Sequence, residues 1–219
     1  MDLAAPPQNT LMQYELALDH LVVAAQTLSE GTEYIEATLG VNLSEIGRHD
    51  RMGTHNRLLS LGPDVYFEVI AIDPSAPPLE HKRWYDLDAF SGQPRLTHWA
   101  CRTPKLVETL QNAPKGSGTP MSFKRGDFRW QMAVPEDGKL PYDGAMPALI
   151  QWETSNHPAP LLPDQGTRLR SFEIVHPSAE VLREEFPALD SLDKVTLLSG
   201  QDVAMKAIFQ TPEGEKVLE

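Results

Sequence analysis

The chain has 219 residues, of which 41% are hydrophobic and 23% are charged, a balance typical of a globular protein that buries a core. Its 19 basic and 31 acidic residues give a net charge of −12, which repels a phosphate backbone, so we expect no nucleic-acid partner. A single cysteine, Cys101, excludes an internal disulfide and a cysteine-rich metal site.

No segment approaches the run of about eighteen apolar residues that a membrane helix needs, so no membrane partner is expected. The first dozen residues lack a basic start followed by an apolar run, so we expect no secretory signal and a cytoplasmic location. Residues 1–15 are expected to form a flexible N-terminus.

One pattern occurs three times along the chain: a short apolar strand with a central polar residue runs into a helix. The polar residue is His20 in the first segment, His98 in the second and Glu173 in the third. His98 lies 78 residues after His20, and Glu173 lies 75 residues after His98. These spacings exceed those of solenoid repeats and predict a duplicated module of strands and one helix.

The first module is predicted over residues 16–74. It begins with a strand at 18–23 and continues with a helix that Ser29 caps and Gly40 ends. Strands at 57–61 and 65–70 follow, because aromatic and β-branched residues flank a Gly-Pro-Asp turn there. Pro74, Pro77 and Pro78 then break regular structure, so residues 75–94 are predicted to form a linker.

The second module is predicted over residues 95–154, with a helix that starts at Thr103-Pro104 and later strands at 128–134 and 148–152. A proline-rich linker covers 155–167. A truncated third βαββ unit fills 168–219. The predicted fold is α+β, with two βαβββ modules that form a curved, mostly antiparallel sheet.

Four polar residues stand in otherwise apolar strands: His20, Glu68, His98 and Gln151. If the modules pair about a pseudo-twofold axis, these side chains converge in one cleft, since alternate residues of a strand share a face. Two imidazoles, a carboxylate and an amide oxygen suit a divalent ion such as Mn, Fe, Co, Ni or Zn. Such an ion would act as a Lewis acid on an oxygen-bearing substrate.

The alternative reading is structural. A single histidine in a strand is more often a hydrogen-bonded structural residue than a ligand, and a buried Glu68 needs a cation, a metal or solvent. His55 and Arg57 are predicted to line the cleft, although a solvated edge also suits Arg57. Trp99, Trp130 and Trp152 are predicted to form an aromatic floor for an apolar ligand, although core packing explains them as well.

The segments Asp19-His20-Leu21-Val22-Val23 and Tyr66-Phe67-Glu68-Val69-Ile70 are repeated as Thr97-His98-Trp99 and Leu149-Ile150-Gln151-Trp152. This arrangement resembles the vicinal oxygen chelate superfamily, over about residues 16–218. The segments Gly53 to Leu59 and Pro147 to Trp152, the latter followed by His157-Pro158, resemble its glyoxalase-like branch. In that superfamily the ligands come from the first and last strand of each module, which implies His20, Glu68, His98 and Gln151.

The resemblance implies a metal-dependent lyase or isomerase, of the glyoxalase I or epimerase type, that moves a proton on a small carbonyl or oxygen-rich substrate. Glu68 would be both a ligand and the catalytic base. Many relatives have lost the metal, so the alternative is a metal-free protein that binds or sequesters a small molecule, as bleomycin-binding proteins do. Because such modules pair within one chain or across two, a homodimer remains open.

Overall fold

The computed structural model describes residues 15–219, so the predicted flexible N-terminus lies outside the described residues except for Glu15. None of the helices within this range is long and apolar enough to cross a membrane. The strands are β1 (Ala17–Ala24), β2 (Gly47–His49), β3 (Thr54–Ser60), β4 (Tyr66–Ile72), β5 (Arg95–Arg102), β6 (Thr119–Arg125), β7 (Phe128–Val134), β8 (Ala148–Trp152), β9 (Arg168–His176), β10 (Val195–Ser199), β11 (Ala204–Thr211) and β12 (Gly214–Leu218). The α-helices are α1 (Leu28–Leu39), α2 (Leu106–Leu110) and α3 (Ala179–Glu185).

Eight strands form one curved sheet in the order β2-β3-β4-β1-β5-β8-β7-β6. Within each module the first and last strands are parallel, β1 with β4 and β5 with β8, and the other neighbours are antiparallel. The antiparallel pairing of β1 with β5 joins the two modules. The predicted α+β fold, with two βαβββ modules in a mostly antiparallel sheet, is confirmed.

The two faces of this sheet carry separate hydrophobic clusters, because successive side chains of a strand point to opposite faces. On the helix face, Leu21, Phe67 and Trp99 join the cluster that includes residues of α1. On the opposite face, here called the inner face, Val22 and Ile70 join a second cluster rich in aromatic side chains. The polar residues discussed below lie on the inner face.

The N-cap of helix α1 is Thr27, two residues before the predicted cap, Ser29. The hydroxyl of Thr27 accepts a hydrogen bond from the backbone N–H of Glu30 at 3.2 Å, which satisfies one of the free donors of the first turn. Gly40 ends the helix with φ of 68°, as the sequence predicts.

The third unit carries one strand more than predicted. β9, α3, β10 and β11 are followed by β12, and the sheet has the order β10-β9-β11-β12. The β11–β12 hairpin turns between Thr211 and Gly214, where Gly214 has φ of 113°. β12 is a half-exposed edge strand with charged residues, so its sequence lacks a strong strand signal. Phe209 packs edge-on against Phe67 and joins this unit to the large sheet.

The segment predicted as a linker, residues 75–94, is part of the inner face. It contains a short 3-10 turn over Trp84–Ala89, in which Trp84, Tyr85 and Leu87 are buried in the second cluster. This segment therefore closes over the inner face of the sheet.

Candidate active site

A cavity of about 20 Å³, here called the inner cavity, lies on the inner face. That volume holds about one water molecule. Side chains able to donate or accept hydrogen bonds come mainly from the first module, and aromatic rings enclose them. The lining includes His20, His49, Asn56, Glu68, Tyr66, Trp84, Tyr85, Arg125, Trp130 and Trp152.

The pair Asp19 and His20 is the centre of this site. The register of β1 against β5 shifts between Leu18 and His20, so β1 contains an irregularity at Asp19. The Asp19 carboxylate is fully buried, and its Oδ1 accepts a hydrogen bond from His20 Nδ1 at 2.7 Å.

The other carboxylate oxygen of Asp19 is also satisfied. Asp19 Oδ2 accepts from Trp152 Nε1 at 2.9 Å and lies 3.0 Å from His157 Nε2. His157 Nδ1 accepts from the backbone N–H of Ala159 at 3.3 Å, which leaves the imidazole proton on Nε2 to donate to Asp19. Burial alone would raise the pKa of Asp19, but the hydrogen bonds from His157 and His20 hold it well below its usual range.

Because His20 Nδ1 donates to Asp19, the uncharged form of the ring carries its lone pair on Nε2, which can accept a hydrogen bond. Nε2 lies 3.2 Å from the Tyr85 hydroxyl and 3.6 Å from Glu68 Oε2. The ring stacks on Tyr66 with centroids 4.5 Å apart. His20 is therefore fixed in both tautomer and orientation, with Nε2 directed at the inner cavity.

Glu68 is held by a second polar network. The Asn56 side-chain amide donates to Glu68 Oε1 at 2.5 Å and lies 3.0 Å from His49 Nε2, while Arg125 donates to Asn56 Oδ1 at 3.1 Å. Burial would raise the pKa of Glu68, but His49, His20 and Asn56 together lower it, so the side chain is a carboxylate. A Cβ at Gly47 would lie 2.4 Å from both Arg125 and Asn56, so only glycine leaves room for this contact.

Tyr85 closes the inner cavity from an unusual backbone conformation. Tyr85 has φ of 58° and Asp86 has φ of 48°, so two consecutive non-glycine residues lie in the left-handed region. The ring is buried, and burial together with Glu68 and Asp19 raises the pKa of its hydroxyl well above the usual value. Tyr85 is therefore a neutral hydrogen-bond donor, and strained backbone of this kind is typical of functional sites.

The structure brings together only two of the four predicted metal ligands, His20 and Glu68. Gln151 lies on the helix face of β8, where its Oε1 accepts from the backbone N–H of Leu106 at 2.8 Å. His98 is buried outside the inner cavity, with its ring centroid 5.2 Å from that of Tyr85. The predicted position of Gln151 is corrected accordingly.

A strand register explains the misplacement of Gln151. Val22 pairs with Glu68 in the first module, and Ala100 pairs with Ala148 in the second. Val22 and Ala100 each lie two residues after the module's histidine, so Ala148 corresponds to Glu68. Gln151 lies three residues after Ala148 on β8. Because this is an odd number, its side chain points to the opposite face of the sheet.

The residues present do not fit the divalent ion that the superfamily resemblance implies. His20 Nε2 is hydrogen-bonded to Tyr85, Gln151 is bonded to the backbone of α2, and Ala148 offers no ligand atom. Among residues 15–219, no group of three or more His, Cys, Asp or Glu side chains has an arrangement that could hold a metal ion.

Of the residues predicted to bind substrate, Trp130 and Trp152 line the inner cavity. Trp99 is a core residue that donates from Nε1 to the Ala145 carbonyl at 3.2 Å. His55 and Arg57 line a different surface cleft, beside the start of α1. His55 and Arg57 flank Asn56 on β3, so their side chains point to the face of the sheet opposite to that of Asn56 and away from the inner cavity.

Sequence reasoning missed Asp19, His49, Asn56, Tyr85 and His157 as site residues. Asp19 adjoins His20, and an acidic neighbour of a strand histidine is a signal that the sequence contains. His157 belongs to a segment of the glyoxalase-like resemblance. Tyr85 offered no signal, because it falls in a proline-rich segment predicted to be a linker.

Comparisons with known proteins agree with this fold. A family model described as a glyoxalase-like domain matches residues 18–189. A crystal structure of a hypothetical protein from Staphylococcus aureus is similar at a TM-score of 0.61 and 14% identity, with 86% of this chain and 87% of that chain covered.

Two further solved structures are less similar. Methylmalonyl-CoA epimerase from Mycobacterium tuberculosis has a TM-score of 0.41 and 20% identity, with 64% of this chain and 88% of that chain covered. A hypothetical protein from Bacillus halodurans has a TM-score of 0.44 and 14% identity, with 65% and 97% covered. No curated protein matches this chain. Because the family model spans most of the sequence, the chain belongs to the glyoxalase-like domain family.

Proposed function

We propose that this glyoxalase-fold protein is an enzyme that moves a proton on a small carbonyl or oxygen-rich molecule, as a lyase or isomerase does, and that His20 is its acid–base group. The observation that carries the proposal is the Asp19–His20 pair. A fully buried carboxylate that receives three hydrogen bonds directs one imidazole nitrogen at an enclosed cavity.

His20 is suited to accept a proton at Nε2. When Nε2 takes a proton, the ring becomes an imidazolium whose charge the Asp19 carboxylate stabilises at 2.7 Å. Glu68 Oε2, 3.6 Å from Nε2, adds a second negative charge beside it. The same ring then returns the proton to another atom of the substrate, which completes an isomerisation or an elimination.

Tyr85 is the second group in this scheme. Its hydroxyl lies 3.2 Å from His20 Nε2, and its raised pKa keeps the proton on oxygen. The inner cavity holds about one water molecule, so a substrate reaches His20 from the larger adjoining cleft, which Tyr85 also lines, only when the Tyr85 ring moves aside. The Tyr85 hydroxyl then donates to a substrate oxygen instead of to Nε2. Such a bond stabilises the negative charge that forms on a carbonyl oxygen when a neighbouring carbon loses a proton.

This scheme moves the base from Glu68 to His20. The lowered pKa of Glu68 makes it a weaker base at neutral pH than an imidazole, and its Oε1 is already bound to Asn56. The scheme uses no metal ion, because the predicted ligands do not converge.

The test uses dihydroxyacetone and 4-oxopentanoate as substrates in D₂O. NMR measures the rate at which their carbon-bound hydrogen is exchanged for deuterium. This assay detects proton transfer without knowledge of the product. We expect the wild type to catalyse exchange with chelator present. We expect His20→Gln to lower the rate about 10²- to 10⁴-fold, the range that general acid–base groups contribute. The matched control is His81→Gln, since His81 is exposed.

Exchange that His20→Gln leaves unchanged would overturn the assignment of His20. Saturable binding of both compounds without exchange would favour the alternative, a small-molecule binding protein of the same fold. Exchange that requires an added divalent ion would restore the metal-dependent prediction.

A further inference from the structure

A second and larger cleft of about 550 Å³, here called the outer cleft, adjoins the inner cavity. Tyr85 lines both spaces, so this ring separates them. The outer cleft lies between the 3-10 turn at 84–89, the start of β5, the loop at 139–144, the start of β11 and Glu219. It is large enough for a small organic molecule, whereas the inner cavity is not.

Strained backbone flanks the outer cleft on two sides. Tyr85 and Asp86 have φ of 58° and 48°, and Tyr142 and Asp143 have φ of 56° and 51°. The left-handed region is energetically unfavourable for non-glycine residues. Both pairs have the sequence Tyr-Asp and sit in short turns, and strain of this kind is often kept where a ligand binds.

His98 supplies an independent sign of a ligand. It lines the outer cleft, is only 8% exposed, and its Nδ1 has no hydrogen-bond partner among residues 15–219. Burial lowers its pKa to about 3, so the ring is neutral. Gly144 packs against this ring, where a Cβ would lie 2.9 Å from Cδ2. Nδ1 itself is inaccessible, so a ligand in the outer cleft would bond to this ring at Nε2, for which the described residues also offer no hydrogen-bond partner.

The charges of the outer cleft single out Arg95. The three acidic residues that line the outer cleft each have a basic side chain nearby. Asp86 lies 3.9 Å from Lys139, Asp143 lies 3.5 Å from His176, and Glu219 lies 3.5 Å from Lys206.

Arg95 has no carboxylate partner among the described residues. It donates to the carbonyls of Ser91 and Gln93, and its guanidinium stacks over Phe90 at 4.5 Å. A guanidinium held by stacking keeps N–H donors for a ligand carboxylate.

One wall of the outer cleft comes from outside the matched family domain. Val203, Ala204, Met205 and Glu219 follow residue 189, where the family match ends. The C-terminal unit therefore shapes a binding space that the family domain alone does not provide.

We propose that the outer cleft binds a small organic anion, with its carboxylate at Arg95 and a carbonyl or hydroxyl oxygen at His98. The Cα atoms of these residues are roughly 10 Å apart along β5, at about 3.3 Å per residue, so the ligand carries its two polar groups on a short carbon chain. That this anion is also the substrate rests on the proposed function, whereas its binding does not.

The probe is 4-oxopentanoate, compared with its neutral methyl ester, and the dissociation constant is measured by ligand-observed NMR at low salt without a turnover assay. We expect the acid to bind about tenfold more tightly than the ester, because a charge-assisted hydrogen bond contributes about that factor. Arg95→Gln should remove this preference. Arg170→Gln is the control, since Arg170 is exposed on β9 away from the cleft. His98→Phe should weaken the acid and the ester alike.

Equal affinity for acid and ester, or an equal loss in Arg95→Gln and Arg170→Gln, would overturn the proposal. So would the absence of saturable binding of the acid. Because binding is measured without exchange, a protein that binds the acid but exchanges no hydrogen would disprove the proposed function and leave this inference standing.

Discussion

The two modules of the large sheet share a strand arrangement and differ in chemistry. In the first module, β1, β3 and β4 place His20, Asn56 and Glu68 at the inner cavity, and Asp19 is buried behind His20. The matching strands of the second module contribute apolar and aromatic side chains, such as Ile150 and Trp130. The position that corresponds to Glu68 is Ala148.

The two modules therefore share one strand arrangement, but only the first has the paired acidic and imidazole side chains of the site. In the first module, buried charges are paired within 4 Å, as His20 is with Asp19 and Glu68. In the second, His98 is buried and has no charged partner among residues 15–219. We infer that the first module performs the chemistry and that the second provides walls and a ligand contact.

The largest expected effect separates the two histidines in the deuterium-exchange assay. His20→Gln should lower kcat about 10²- to 10⁴-fold, because the acid–base group is lost. His98→Gln should mainly raise KM, because His98 contacts the bound ligand and not the transferred proton. Equal losses of kcat in the two variants would break the comparison.

The next effect comes from placing an acid at the corresponding position of the second module. Ala148→Glu should destabilise the fold by about 3–5 kcal/mol, since the new carboxylate would be buried without the amide donor that serves Glu68. Ala148→Met, which adds similar bulk without charge, controls for overpacking. Urea unfolding measures both, and equal losses would show that bulk alone is responsible.

The pH dependence of stability tests the solitary burial of His98. Its pKa falls from 6.5 to about 3 on folding, so the unfolded chain binds more protons between these values and stability decreases as pH falls through that window. The lowered pKa values of Asp19 and Glu68 act in the same direction at lower pH.

His98→Leu should therefore flatten the decrease in unfolding free energy below pH 6.5. The free energy of unfolding is measured by urea denaturation at a series of pH values, with His81→Leu as the control. A slope that His98→Leu does not change would mean that other groups account for the acid sensitivity.

The smallest effect compares one type of bond in two settings. Asn56 donates to Glu68 at 2.5 Å in the buried site, and Gln131 donates to Glu153 at 2.7 Å on the surface of the second module. Asn56→Ala should cost about 1–3 kcal/mol, because a buried carboxylate loses its donor. Gln131→Ala should cost less than about 0.5 kcal/mol. Similar values for the two would show that Glu68 does not depend on Asn56.

The fold could be predicted because the spacing of His20, His98 and Glu173 reveals a repeat, and because each repeat carries a helix signal after its first strand. The strand after Gly214 was missed, since edge strands with charged residues resemble loops.

The site was harder to predict, because it depends on register and tertiary contacts. The shift that puts Gln151 on the helix face changes no local pattern, and the irregularity at Asp19 arises from the pairing of β1 with β5. Tyr85 reaches His20 across 65 residues of sequence from a turn that carries no repeat signal.

The central claim is that Asp19 holds His20 in one tautomer, with Nε2 directed at the inner cavity. A two-bond ¹H–¹⁵N correlation spectrum of the imidazoles, recorded at neutral pH, reports which ring nitrogen carries the proton. We expect the uncharged His20 ring to carry its proton on Nδ1, where it donates to Asp19, and we expect Asp19→Asn to disturb this tautomer. An uncharged His20 ring with its proton on Nε2 in the wild type would contradict it.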